Sequence, residues 1–363
     1  MAGVDTCTFC GVPRFISKAL RWEDNGVISL PASPGERMVF YDAVAIDHLF
    51  DGIHELIGTD ISNMVIESRR RETRRYMERL VPEDVVRVLN DEDTDTAERK
   101  AKGRQYNLQI DMVGMLYGYG HIAMSGLWDT EDPHPWREQI YHDPYSLRFC
   151  MADTLGTVEA IEGRDLWVES MPAGENAFLV RVIEGEHPLE FSGRLRRKRY
   201  PFKPGDISFK RCMACGIPLE VARCHWNVDK GTIYDPQTGR RMVFIGSAAM
   251  DAVLDDLQSE LGESIPEVVI EAQRQFVKRY VGSVIWPSSA EENRMNTALR
   301  GLGNITEFRA TPSTLGLTIQ NSCLHLPMVG LTAALAELAR GAEKSGVEWE
   351  LQEDGDLRIE LRF

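Results

Sequence analysis

The stretch CTFCGVP, Cys7–Pro13, recurs as CMACGIP, Cys212–Pro218, 205 residues further along the chain. One residue out of that register, ERMVF (Glu36–Phe40) matches RRMVF (Arg240–Phe244). The shifted register then continues through Ala45/Ala249, Asp47/Asp251, Gly58/Gly262, Ile61/Ile265, Val65/Val269, Glu67/Glu271, Arg70/Arg274 and Tyr76/Tyr280. Chance does not hold one register over such a span with a single gap. The pattern marks duplication of a domain, not a short solenoid period.

Each copy reads outward from its knuckle in the same order. A β-hairpin follows: GVIS, a turn and RMVF in the first copy, GTIYDPQTGRRMVF in the second, where Asp-Pro-Gln-Thr-Gly supplies turn chemistry. Ala45, Leu49, Ile53, Leu56 and Ile57 recur at helical spacing and predict an amphipathic helix that Gly58 ends, as Gly262 ends its counterpart. Further helices are expected from Ser62 to Leu80 and from Ala97 to Tyr117. Arg69, Arg70, Arg71, Arg74 and Arg75 interleave with Glu67, Glu72 and Glu78, which predicts a salt-bridged outer face.

Later matches need gaps. GYGHI (Gly118–Ile122) aligns with GLGNI (Gly301–Ile305), and DPYSL (Asp143–Leu147) with TPSTL (Thr311–Leu315). The unequal intervals are read as an insertion in the first copy from Met124 to His142. Both copies then close with an apolar helix and a strand, AFLVRV (Ala177–Val182) and LRIELRF (Leu357–Phe363). The expected class is α+β: two tandem homologous domains, 1–183 and 211–363, packed as a pseudo-dimer. Residues 184–210, containing GRLRRKRYPFKPGD, read as a polar linker.

Composition narrows the function. The 363 residues are 43% hydrophobic and 27% charged, which is globular. A formal net charge of −15 argues against nucleic acid as a partner. Seven Cys are too few for a disulfide scaffold. MAGVDTCTFC has no signal-peptide pattern, and the uncharged stretch from Thr311 to Ala336 is broken by Gln320, Asn321, His325 and Pro327, so no membrane span is expected. A reducing cytoplasm is the expected location, where CxxC pairs read as metal or redox sites. A homo-oligomer stays open.

A CxxC followed by Gly is half of a zinc knuckle: both sulfurs turn to one ion, and the Gly relieves the turn. One knuckle supplies two ligands and a structural zinc takes four. Cys7, Cys10, Cys212 and Cys215 therefore make one shared site if the knuckles meet. Beside it stand the reading that the thiols are relicts that hold no metal, and two further alternatives. Cys224 and His225 could complete Cys212 and Cys215 locally, or the pairs could be redox dithiols, although no thioredoxin-like strand precedes them.

The last third of each copy, DPYSLRFCMADTLGTVEAIEGRDLWVE (Asp143–Glu169) and GLGNITEF (Gly301–Phe308) with GVEWELQEDGDLRIELRF (Gly346–Phe363), resembles the V4R (4-vinyl reductase) domain. That family is similar in fold to Bet3-type transport-complex subunits and to haem-binding nitric-oxide sensors. The resemblance implies a small hydrophobic guest, such as a hydrocarbon, a phenolic or a tetrapyrrole-like molecule, inside an α/β shell. The family's downstream cysteine cluster has no counterpart here, since Cys150 and Cys323 stand alone.

The first copy concentrates aromatic and Met side chains where the second has few. Met112, Met115, Tyr117, Tyr119, Trp128, Trp136 and Phe149 are the candidate lining of an apolar pocket. His121, His142, Tyr141 and Tyr145 are the candidate acid–base groups if that pocket catalyses. The preferred function is binding of a small hydrophobic or aromatic molecule in the first copy, with zinc joining the halves. An enzyme acting on such a molecule, a structural adaptor and a haem protein are the alternatives.

Overall fold

A computed structural model describes residues 4–189, 200–281 and 289–363. In the first copy the chain runs α1 (Arg14–Ala19), β1 (Arg21–Trp22), β2 (Ile28–Ser29), β3 (Arg37–Asp42), α2 (Ala43–Ile57), α3 (Ser62–Met77), α4 (Glu83–Asn90), α5 (Thr96–Tyr117), β4 (His121–Met124), β5 (Glu138–His142), α6 (Leu147–Glu162), β6 (Trp167–Gly174) and β7 (Ala177–Ile183). The second runs α7 (Leu219–Ala222), β8 (His225–Asn227), β9 (Thr232–Tyr234), β10 (Arg241–Gly246), α8 (Ser247–Leu261), α9 (Ile265–Phe276), α10 (Ala290–Leu299), β11 (Asn304–Ala310), β12 (Thr314–Gln320), α11 (His325–Arg340), β13 (Gly346–Leu351) and β14 (Leu357–Arg362). The class is α+β, and among the described residues the order of helices and strands repeats except for α4. By contacts the chain forms two units: Met1–Asp60 with Arg196–His225 and Tyr234–Phe363, and Ile61–Leu195 with Trp226–Ile233. Of the expected linker, residues 190–199 lie outside the described ones.

In the first unit the two RMVF segments pair with each other. β3 and β10 are antiparallel, with Phe40 opposite Phe244, Val39 opposite Ile245 and Tyr41 opposite Val243. Phe40 and Phe244 are repeat equivalents, so the register is symmetric about them. Their rings stack at 4.5 Å, and Trp22 meets Phe244 edge-on at 6.0 Å. α2 and α8 pack on this pair of strands. The Asp42 side chain caps α2 by accepting from Val44 N at 2.9 Å. Ala45, Leu49 and Ile53 are buried as the spacing predicts. Leu56, in the last turn of α2, is 41% exposed, so the buried stripe stops one turn early.

Each unit carries one four-stranded antiparallel sheet, in the order β11-β12-β14-β13 in the first and β4-β5-β7-β6 in the second. Each sheet packs on a helix, α11 or α6, which packs in turn on α9 or α3. This corrects the late alignment. β5 stands where β12 stands, and each is followed by a residue with positive φ, Asp143 at 48° and Asn321 at 51°. TPSTL instead begins in the turn between β11 and β12. The insertion is therefore confined to 125–137, with two short 3-10 turns at Gly126–Asp129 and Pro135–Arg137.

The arginine helix α3 is not an outer face. Glu67, Arg69, Arg70 and Glu72 are buried. In the second unit, Arg70 donates to Glu67 at 3.0 Å and to Glu159 at 2.7 Å. Glu159 also accepts from Leu166 N at 2.9 Å and so pins the start of β6. In the first unit, Arg274 pairs with Glu337 at 3.0 Å, and Glu337 accepts from Ser345 N at 2.6 Å. The same buried carboxylate thus ties helix to strand twice.

Candidate metal centre

Each knuckle is built by the same pair of backbone bonds: Cys7 N donates to Val12 O and Cys212 N to Ile217 O, both at 2.8 Å. Gly11 N donates to Cys7 O and Gly216 N to Cys212 O, both at 2.8 Å. Both glycines have φ of 77°, where an L side chain is strained, and no neighbour crowds either position. The Gly is therefore required by conformation, not by space. Short helices, α1 and α7, follow each knuckle and begin right after Pro13 and Pro218.

All four sulfurs belong to the first unit. Cys7 Sγ lies 3.9 Å from Cys212 Sγ, and Cys10 Sγ lies 3.5 Å from Cys215 Sγ. All four lie within 4.8 Å of one another. Four thiolates about 2.3 Å from a tetrahedral zinc would stand about 3.8 Å apart, so the spacing fits a bound ion without rearrangement. Cys7 and Cys212 are buried, and Cys10 and Cys215 half-buried. Backbone N–H groups of Phe9 and Cys10 draw the Cys7 thiol down to about 6, and those of Ala214 and Cys215 lower Cys212. Burial pushes Cys10 up to about 12 and raises Cys215. A divalent cation removes that penalty by holding every sulfur as thiolate. The four close cysteines are a possible metal-binding site.

The local alternative does not assemble. Among the described residues, neither Cys224 nor His225 joins the sulfur group. Cys224 is buried away from it, with its thiol raised to about 12 by desolvation. Cys150 and Cys323 are buried as well.

The aromatic residues of the first copy form two packing groups. Tyr119 stacks on Tyr145 at 4.4 Å, Tyr145 meets Phe149 edge-on at 6.2 Å, and the Arg69 guanidinium lies 4.9 Å from the Phe149 ring. Tyr117 lies 6.3 Å from Tyr119. Trp128 and Trp136 instead close over Gly103 of α5, and Trp136 Nε1 donates to Glu162 at 3.1 Å. Met115, Trp128, Trp136 and Phe149 are buried, while Met112, Tyr117 and Tyr119 are half-buried.

The four acid–base candidates do not converge. His121 and His142 face each other across β4 and β5 with ring centres 5.4 Å apart. His121 Nδ1–H donates to Asp229 O at 2.7 Å. Tyr141, one residue along the strand from His142, points to the opposite face, as strand alternation requires. Its hydroxyl bonds Thr154 Oγ1 at 2.8 Å, and Tyr145 donates to Asp153 at 3.3 Å. Burial raises both phenols well above their ordinary range.

Sequence reasoning missed Glu159 and Glu337, which recur four residues before Gly163 and Gly341. The repeat itself carried that signal, hidden by the misplaced late alignment. No family model, curated protein or solved structure matches the chain. The chemistry of its sites therefore rests on their own residues.

Proposed function

We propose that this protein is a tandem-repeat binding module whose two knuckles share one structural Zn²⁺, held by Cys7, Cys10, Cys212 and Cys215. The observation that carries it is the approach of two CxxC pairs, 205 residues apart, to within 4.8 Å. A tetrahedral all-sulfur set suits zinc, and four protein ligands leave no open position for catalysis. The ion's work is mechanical: its binding free energy contributes to folding and ties the start of one repeat to the start of the other. A tetrathiolate of this kind fits a reducing compartment.

In the same reading the repeats are V4R-like domains paired as a pseudo-dimer. Two observations support the pairing of like repeats: equal strand order in the two sheets, and the meeting of repeat equivalents at Phe40–Phe244 and at the thiols. The guest is a small hydrophobic or aromatic molecule. Binding is preferred to catalysis because His121, His142, Tyr141 and Tyr145 share no common reacting point.

Native mass spectrometry of freshly purified protein tests both parts. One zinc per chain is expected, lost in Cys7→Ser and equally in Cys212→Ser, and kept in Cys224→Ser. Zinc retained by Cys7→Ser, or two zincs per chain, would overturn the shared site. A co-purified small molecule supports the binding reading.

A further inference from the structure

A second metal-ligating pair lies on the sheet of the second unit. His121 and His142 are direct register partners on the antiparallel strands β4 and β5. Tyr141 turns toward α6, where its hydroxyl meets Thr154, so His142 beside it points to the opposite, outer face of the sheet. Residues directly opposite each other hold their Cβ atoms about 4.5–5.5 Å apart. The two imidazole centres stand 5.4 Å apart, with ring planes inclined at 54°. A ring nitrogen about 2.1 Å from a zinc ion sets its ring centre about 3.2 Å from that ion, and two such rings at a tetrahedral angle stand about 5.2 Å apart. The observed separation therefore fits one ion held between the rings.

The rings are also prepared as ligands. His121 Nδ1 donates to Asp229 O at 2.7 Å, which leaves the lone pair on Nε2. The segment that carries this carbonyl is fixed against β4. Gly120 N donates to Gly231 O at 2.9 Å, and a side chain at Gly231 would run into the Gly120 carbonyl. A backbone carbonyl on one nitrogen sets the tautomer and aims the other nitrogen, which is how metal-bound histidines are held. His142 is exposed, and its ring makes no hydrogen bond among the described residues. His121, His142 and Asp229 all belong to the second unit.

The other repeat shows that the fold does not need imidazoles here. At the equivalent place Asn304 stands opposite Gln320 on β11 and β12. Asn304 Oδ1 accepts from Arg294 Nε at 2.8 Å, an internal use for the side chain. Both histidines are thus exchanged together for amides, as expected of a pair that works as a pair.

We propose that His121 Nε2 and a ring nitrogen of His142 bind one late first-row divalent ion such as Zn²⁺. Imidazole suits such ions, whereas Mg²⁺ and Ca²⁺ favour oxygen ligands. Two protein ligands, against four at the thiols, imply a Kd on the order of 1–100 μM. The ion therefore exchanges and leaves on desalting, so it does not add to the zinc that purified protein retains. It keeps coordination positions open to water or to an incoming donor. The site does not depend on the thiols or on the reading of the chain as a binding module.

Calorimetric titration of Zn²⁺ into desalted full-length protein, its thiol site already loaded, tests it. One further binding event per chain is expected, with amide shifts centred on β4 and β5. His142→Gln writes the second repeat's residue at an exposed position. It is expected to weaken the event at least about tenfold, at unchanged melting temperature and with the retained zinc unchanged. His121→Asn is expected to do the same. Mg²⁺ is expected to give no event, which separates the site from the general pull of a chain of net charge −15 on cations. No event with Zn²⁺, equal binding of Mg²⁺, or Zn²⁺ bound as tightly by His142→Gln would overturn the site. Because the retained zinc is counted separately, failure here leaves the thiol site standing, and failure there leaves this one.

Discussion

Two buried titratable side chains respond to pH in opposite senses. Burial, helped by Arg37, holds His325 neutral and brings its pKa down to about 4 from an ordinary value of 6.5. As pH falls below 6.5 the unfolded chain gains a proton that the folded chain refuses. Stability is therefore full above that value and is lost toward pH 4, by about 3 kcal/mol. His325→Leu is expected to flatten this acid limb in urea midpoints; an unchanged limb would show that His325 is charged in the fold. Asp111 works the other way, since burial raises its carboxyl to about 7 from 3.8. The folded chain keeps a proton the unfolded chain has released, so stability is present below 3.8 and lost as pH rises through 7. Asp111→Asn is expected to raise stability at pH 8, relative to its effect at pH 4, by about 2–4 kcal/mol. Neither response is legible in the sequence. A lone His before an apolar helix and a lone Asp within one look alike until the neighbours that desolvate them are known.

At the scale of elements, two glycines show why helix propensity misleads. An added Cβ at Gly156 on α6 would stand 2.6 Å from Arg70 O, and one at Gly330 on α11 would stand 2.5 Å from Ile270 O. Both contacts are backbone atoms of the facing helix, which cannot swing aside. Gly156→Ala and Gly330→Ala are each expected to cost about 1–3 kcal/mol in chemical denaturation, although Ala is the better helix former by about 1 kcal/mol. No loss would mean that the helices separate freely. The strong periodicities were readable: the Ala45–Ile53 stripe, the hairpins and the closing strands. Less was readable where a short motif had to stand for geometry. DPYSL and TPSTL share a proline and a leucine, yet one precedes a helix and the other begins in a hairpin turn. The short helix α4 has only Val85 and Leu89 buried, too little pattern to declare itself. The arginines of α3 read as a solvated face because sequence shows the charges and hides the buried Glu159 that receives two of them, Arg70 and Arg74.

The largest feature is that the chain up to Asp60 belongs to one unit with most of the second repeat, while the rest of the first repeat lies in the other unit. The duplication announced the shared thiols, since half a tetrahedral site in each copy asks for the other half. It did not announce that β3 would pair with β10, because a strand's partner is not written in its own residues. The consequence is testable without any ligand. A chain lacking residues 1–60 loses the strand opposite β10, two of the four thiols and the Arg37 that holds the Asn321 turn. It also bares the row of backbone groups along β10, which invites association between copies. Such a chain is expected to lose cooperative unfolding and dispersed amide resonances throughout 234–363, and adding zinc is expected to restore neither. Supplying residues 1–60 in trans together with zinc is expected to recover part of both. A truncated chain that stays monomeric, well dispersed and cooperative would show that the second repeat closes its own core, and that the strand pairing joins two finished domains instead of completing one.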